Sequence, residues 1–415
     1  MIGHARSSAL VLGAGIQGLC TALALDRAGW EVVLLDRAPE PMLRTSLRGE
    51  GKLHLGYVYG NEPDRTTARL MVDGALSFSE HLDQWLPEKV PWAALRSDPF
   101  VYAILADTMV SPETLAGHYR WVDEAVARGI AAGMTYAGAR TFSVTARLAC
   151  PGDHGYSGDV IAAYQTSEIA VDPRWLRSAF IGALRSRAIP FLAGCVIRSV
   201  ARTPHGFAVT ATRETGESFT RRADAVINCL WDGRLAIDAT MDIPPPRTCF
   251  YRLKYAVRGR MKPATARPTT TTFALGPFGD VVCWADGSVY LSWYPVCLAG
   301  VSGGLEPPCS WRPALDHPET TAAEHDLARR SLAALAERIP ALKGLQVDSV
   351  KAGVVVAWGE NDIDQPQSEL HQRHAIGVHD HDGYLSIDTG KFTTAPLFAA
   401  QVADRLGTAR HHRRS

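Results

Sequence analysis

The chain has 415 residues, 46% of them hydrophobic and 21% charged. That balance suits a soluble globular protein, and the length exceeds what one core usually supports, so two domains are expected. Lysine plus arginine totals 43 and aspartate plus glutamate totals 43, and this zero net charge gives no electrostatic case for nucleic acid or an anionic membrane.

Residues 9–12 form a short apolar run the size of a buried strand. Gly13, Gly15 and Gly18 then make a G-x-G-x-x-G that opens a helical pattern, with Leu19, Leu23 and Leu25 on its apolar side and Gly29 at its end. A second apolar strand, Glu31–Leu35, stops on Asp36. The first glycine permits a tight turn, the second lets backbone approach a pyrophosphate, and the third lets helix pack on strand. Phosphates then sit at the helix N-terminus, where free N–H groups and the helix dipole favour negative charge. Asp36 is placed to accept hydrogen bonds from a ribose diol. A glycine-rich turn in an unrelated protein would not need strand, glycines, helix, strand and acid in this order. The segment therefore predicts dinucleotide binding. Because the motif begins so early, a cleaved leader is not expected, and the cytoplasm is the expected compartment.

Further along, helices are predicted over 66–86, 114–128 (capped by Ser111, with Pro112), 174–187 (after Asp172-Pro173), 320–338 and 395–406. Strands or extended segments are predicted over 91–105, 161–166, 190–200, 206–212, 223–228, 251–257, 281–284, 289–293, 351–358 and 384–388. The run 225–229 has the continuous apolar pattern of a strand in the middle of a parallel sheet. Pro244-Pro245-Pro246 marks a change of domain. No apolar run approaches the roughly 20 residues of a membrane span. The eight cysteines include no Cys-x-x-Cys pair, so neither zinc nor a disulfide framework is indicated. His371, His374, His379 and His381 read as a polar loop, and no metal site is expected.

Four segments resemble the D-amino-acid oxidase and glycine oxidase superfamily, which also holds glycerol-3-phosphate and 2-hydroxyglutarate dehydrogenases. Lys52-Leu53-His54-Leu55-Gly56-Tyr57 is similar to its K-L-I-H-G-G segment beneath the flavin. Ala170-Val171-Asp172-Pro173-Arg174-Trp175-Leu176 is similar to the start of its middle helix, and 223–235 to its A-D-x-V-V-N-A-A-G segment. Asp388-Thr389-Gly390-Lys391-Phe392-Thr393-Thr394 is similar to its closing G-G-K-x-T-T turn. Two departures stand out: Cys229-Leu230-Trp231-Asp232-Gly233 replaces Ala-Ala-Gly, and Arg48-Gly49-Glu50-Gly51 replaces a serine- and asparagine-rich loop.

The resemblance implies an α/β (α+β overall) fold, with a Rossmann-like FAD-binding domain (1–88, 169–243, 351–415) interleaved with a β-rich substrate domain (89–168, 244–350). It implies FAD as cofactor. Gly13, Gly15, Ile16, Gln17, Gly18, Asp36 and Arg37 would hold the adenosine pyrophosphate, and Val196 would present backbone to the adenine. Lys52, Leu53 and His54 would lie against the isoalloxazine. Gly390, Lys391, Phe392, Thr393 and Thr394 would meet its pyrimidine edge, where Lys391 adds positive charge. His54 is either a covalent attachment point or a packed, hydrogen-bonding histidine.

The expected catalytic residues are His54, Arg252, Tyr290 and Lys391. Tyr251, Trp293, Tyr294 and Arg373 are further pocket candidates, with Arg252 or Arg373 clamping a carboxylate. Strand alternation forbids Tyr251 and Arg252, or Trp293 and Tyr294, from lining one pocket together. The implied activity is oxidation of a C–N or C–O bond in a small amine, amino acid or hydroxy acid by hydride transfer to the flavin, with oxygen or a carrier as acceptor. Alternatives are a flavin monooxygenase, whose late G-D-A-A-H segment has no counterpart in Asp388-Thr389-Gly390-Lys391, and a non-catalytic FAD-binding protein.

Overall fold

Ser8–Leu12, the helix Ile16–Arg27 and Glu31–Leu35 form a parallel βαβ unit in the computed structural model, which describes residues 6–142, 146–263, 265–316, 319–373 and 375–412. Gly13 holds φ +97°, and a Cβ there would meet the Cys229 carbonyl oxygen at 2.7 Å. At Gly18 a Cβ would stand 1.8 Å from the Gly13 carbonyl oxygen. Only glycine lets this helix start so close to the strand ends. The helix is buried from Ile16 through Leu25, wider than a single apolar face, because the closing helix Ala395–His412 packs against it opposite the sheet.

Six strands make the first sheet, in the order Gly377–His381, Tyr384–Asp388, Ala225–Asn228, Ser8–Leu12, Glu31–Leu35, Phe191–Leu192. All neighbours are parallel except the first pair. Ala225–Asn228 lies between two parallel partners and is buried throughout, as its apolar run requires. A three-stranded meander, Cys195–Thr203, Gly206–Arg213 and Ser218–Ala223, packs beside it.

The second sheet has nine strands, drawn from residues 101–105, 147–165, 249–303 and 345–358. Its spine is the antiparallel pair Cys249–Met261 and Leu345–Trp358. Thus segments of the two large sheets alternate along the chain, and Pro244-Pro245-Pro246 carries it from the helix Arg234–Ala239 into the second sheet.

Several local expectations need correction. The stretch 91–105 contains a helical turn, Trp92–Leu95, before the strand Val101–Leu105. The stretch 190–200 is split by Gly194 at φ +64°, so its two halves join different sheets. The histidine run is not one loop. His371 ends a short 3-10 turn, His379 and His381 lie on the antiparallel edge strand Gly377–His381, and His374 falls outside the described residues. Alternation of outward histidines with Val378 marks that edge. No helix of the described residues is long and apolar enough to cross a membrane.

Candidate active site

One cavity of about 400 Å³ runs between the two sheets. At one end Gly13, Ala14, Gly15, Ile16 and Gln17 line it with Asp36 and Arg37. Gly15 caps the helix Ile16–Arg27 with no side chain in the way, and the Ile16 N–H donates to Ser46 Oγ at 3.1 Å. Asp36 accepts from the Ala14 N–H at 2.5 Å and the Ala38 N–H at 2.8 Å, and burial raises its pKa. This end is short, amide-rich and closed by one carboxylate, as a nucleotide diphosphate and its ribose require.

At the other end Lys52, His54, Tyr59, Gly390, Lys391 and Phe392 line the cavity, facing Arg252, Lys254, Tyr290, Tyr294, Asp280 and Arg373. Gly390 holds φ +62°, turning the chain from the buried strand Tyr384–Asp388 into the closing helix. Thr393 Oγ1 accepts from the His54 N–H at 2.8 Å and donates to the Lys52 carbonyl at 3.1 Å. The two loops are therefore tied together behind the cavity wall. The continuous cavity, amide-rich at one end and flanked by two braced loops at the other, fits an extended dinucleotide with a flat redox ring.

Not every expected residue reaches the cavity. Gly18 and Leu53 pack behind it, Thr393 and Thr394 brace the loops, and Val196 lies on a meander strand whose neighbour Cys195 donates its N–H to the Asp36 carbonyl at 2.8 Å. Arg252, Tyr290 and Tyr294 face inward. Tyr251 instead donates to the Leu305 carbonyl at 2.8 Å, and Trp293 packs on Phe273 and Phe278. The pleat decides the first pair, whereas Trp293 ends its strand and Tyr294 opens the helical turn Tyr294–Cys297.

The electrostatics are uneven. Lys52 Nζ donates to Thr272 Oγ1 at 2.5 Å and Asp280 Oδ1 at 2.6 Å. Burial opposes its charge, but Asp280 and Glu168 more than offset this and raise its pKa. Burial works against the Asp280 anion too, yet Lys52 and Lys254 hold its pKa below the usual carboxylate range. Burial, with Lys391, Lys52 and Arg373 nearby, pushes the His54 imidazole well below its ordinary range, so the ring is neutral. Burial and Arg373 bring Lys391 down to about 8.

Among the described residues, four cavity-lining side chains each bury a polar atom without a partner: His54 Nδ1, Tyr59 Oη, Arg252 Nη1 and Arg373 Nε. Arg252 is 1% exposed and Arg373 6%. Arg252 Nε donates to Asp362 Oδ1 at 2.8 Å, and Tyr294 Oη donates to the same oxygen at 2.7 Å. Arg373 Nη1 donates only to the Val356 carbonyl, at 2.5 Å, and no described carboxylate lies within ion-pair distance. Sequence reasoning missed Tyr59, Glu168, Asp280 and Asp362. Tyr59 follows the Lys52–His54 motif closely, but the other three carry no local signal.

A family model described as DAO, FAD dependent oxidoreductase, matches residues 8–405. The chain belongs to that family. FAD is the cofactor of this oxidoreductase, which is an enzyme of the oxidase and dehydrogenase type. Over 132 residues it is 32% identical to a bifunctional tRNA 5-methylaminomethyl-2-thiouridine biosynthesis protein of Methylibium petroleiphilum, covering 30% of this chain and 19% of that protein. It is 50% identical over 48 residues to a D-amino acid dehydrogenase of Sinorhizobium medicae, 12% of each chain. These matches span less than a fifth of either relative. The crystal structure of glycine oxidase from Geobacillus kaustophilus superposes with a TM-score of 0.63 at 13% identity, over 97% of this chain and 94% of that one, a likeness of fold.

Proposed function

We propose that this oxidoreductase oxidises a small amine that carries a carboxylate, an amino acid or N-substituted amino acid, at the carbon bearing nitrogen. The carrying observation is the convergence of Arg252 Nη1, Arg373 Nε and Tyr59 Oη, all buried and unpartnered, on the cavity end lined by His54 and Lys391. Arg252 already pairs with Asp362 through Nε, but Arg373 has no carboxylate partner among the described residues, and a buried guanidinium without a counter-ion costs several kcal/mol. A substrate carboxylate supplies that missing charge and acceptor oxygens for the free N–H groups of both arginines.

Bound FAD supplies the acceptor for the substrate's hydride. The chain does the rest. Arg252, Arg373 and Tyr59 fix the carboxylate end, which leaves the amine within the stretch lined by His54. Neutral His54 accepts a proton from the substrate ammonium and so frees the nitrogen lone pair that assists C–H cleavage. Lys391 and the turn at Gly390 hold positive charge on the facing side. The resulting imine hydrolyses in water, and the electrons pass on to oxygen or a carrier. Both curated relatives carry names that concern amine chemistry, which favours C–N over C–O oxidation.

The test is anaerobic mixing of the holoenzyme with amino acids and with the matched amines that lack the carboxylate. Bleaching of the visible flavin band by amino acids alone supports the reading. Equal bleaching by the amines, or by hydroxy acids only, overturns it.

A further inference from the structure

Glu168 is fully buried, at 0% exposure. It precedes the two-residue strand Ile169–Ala170, which pairs antiparallel with Lys52–Leu53 and so delivers the carboxylate directly behind the His54 segment. Its Oε2 accepts the Leu55 N–H at 2.6 Å and its Oε1 accepts the Tyr102 hydroxyl. Burial raises the pKa of this carboxyl overall, while the Lys52 charge and these two hydrogen bonds favour its ionised form. Oε1 lies 3.9 Å from His54 Nδ1 and 4.0 Å from Lys52 Nζ. His54 Nδ1 is the same atom that is buried without a partner.

The groups facing the imidazole are few. Lys52 is on its own strand and is neutralised at 2.6 Å by Asp280. Lys391 and Arg373 approach from the cavity, and Tyr59 stacks at a tilt with ring centroids 6.4 Å apart. Among the described residues, Glu168 is the one carboxylate within ion-pair distance of the imidazole.

We propose that Glu168 is a positioning residue for His54: its carboxylate takes the Nδ1–H and leaves Nε2 unprotonated toward the substrate. The inference rests on the reading of His54 as the proton acceptor. About 1 Å of movement closes the Nδ1–Oε1 gap to a hydrogen bond. In the step itself the substrate N–H bond breaks and an Nε2–H bond forms. The lone pair stays on the substrate nitrogen, and the new imidazolium is balanced by the Glu168 anion. Without that anion the imidazolium would form beside Lys391, Arg373 and Lys52 with nothing to offset it. The logic is that of an orienting carboxylate behind a catalytic histidine.

The test uses holoenzyme labelled with ¹⁵N-histidine, with His54→Gln identifying the signal. The expected result at neutral pH is the Nδ1–H tautomer with a bare Nε2; an Nε2–H tautomer overturns the proposal. In Glu168→Gln, kcat should fall roughly 30-fold with KM little changed, and the acid limb of kcat/KM should move to lower pH, since removing an anion disfavours imidazolium. Glu168→Asp should recover part of the loss. A Glu168→Gln enzyme with full FAD content and a wild-type pH profile would also overturn it. If that variant does not fold, the wild-type tautomer decides alone. If no amine bleaches the flavin, the amine reading fails, and the tautomer still reports on Glu168.

Discussion

Two clusters of buried charged groups flank the turn Thr389–Lys391, and they are built on opposite principles. Behind the turn, Arg234 donates to Asp238 at 3.2 Å, Ser386 at 3.1 Å and Asp388 at 3.4 Å. Asp388 also accepts from Trp358 Nε1 at 2.8 Å, and Asp238 accepts from Asn228, Tyr384 and Ser386. Each charge there meets its opposite, and the network ties the parallel sheet to the long strand Leu345–Trp358 of the second. In front of the turn, Arg252, Arg373, Tyr59 and His54 each keep a buried polar atom unspent. A closed cluster does structural work, while an open one of equal burial stores affinity for something the chain does not contain.

The contrast is sharpest under mutation. Arg234→Met strands Asp238 and Asp388 in the interior and should cost about 3–5 kcal/mol of stability, read by denaturant unfolding of the holoprotein. Arg373→Met should do the reverse. It removes an uncompensated buried cation, so the melting temperature should hold or rise, while kcat/KM for a carboxylate substrate falls about 10²–10³-fold. If Arg373→Met unfolded the protein as Arg234→Met does, the distinction between the clusters would be lost.

Protonation tests the same contrast. His118 belongs to the closed type: it is buried, and its Nε2 donates to the Gly56 carbonyl at 2.9 Å. Burial lowers its pKa to about 4. Because the folded value lies below the unfolded one, the folded state resists protonation. Stability should be complete above about pH 6.5 and fall by roughly 3 kcal/mol as pH drops to about 4. His118→Gln should flatten that part of the stability–pH curve. On the open side, Lys391 near pKa 8 is charged below that pH. A basic limb near pH 8 in kcat should disappear in Lys391→Met, with activity about tenfold lower.

The nucleotide end of the fold was legible in the sequence because its signals are local. Three glycines, two apolar strands and Asp36 lie within 36 residues, and each observed element falls within a residue or two of its expected place. The long strand Leu345–Trp358 was recognisable only from residue 351 onward, since polar residues alternate through its first half where it covers Cys249–Met261. Pleat alternation allowed only one of Tyr251 and Arg252 at the cavity and did not say which. The open cluster was legible in pieces: His54, Arg252 and Arg373 stood out, but they come from segments some 120 to 200 residues apart along the chain. Their convergence with Tyr59, and the placement of Glu168 behind His54, belong to the tertiary structure. Nothing in the local sequence distinguishes Arg234, whose partners satisfy it, from Arg373, whose partners do not.

The most direct measurement is the binding of a small carboxylate that cannot be oxidised, followed by perturbation of the flavin spectrum in the wild type and in Arg373→Met. Saturable binding that weakens about 100-fold or more in the variant is the result the open cluster predicts. Equal affinity in both proteins would contradict the assignment of Arg373, Arg252 and Tyr59 to the substrate carboxylate.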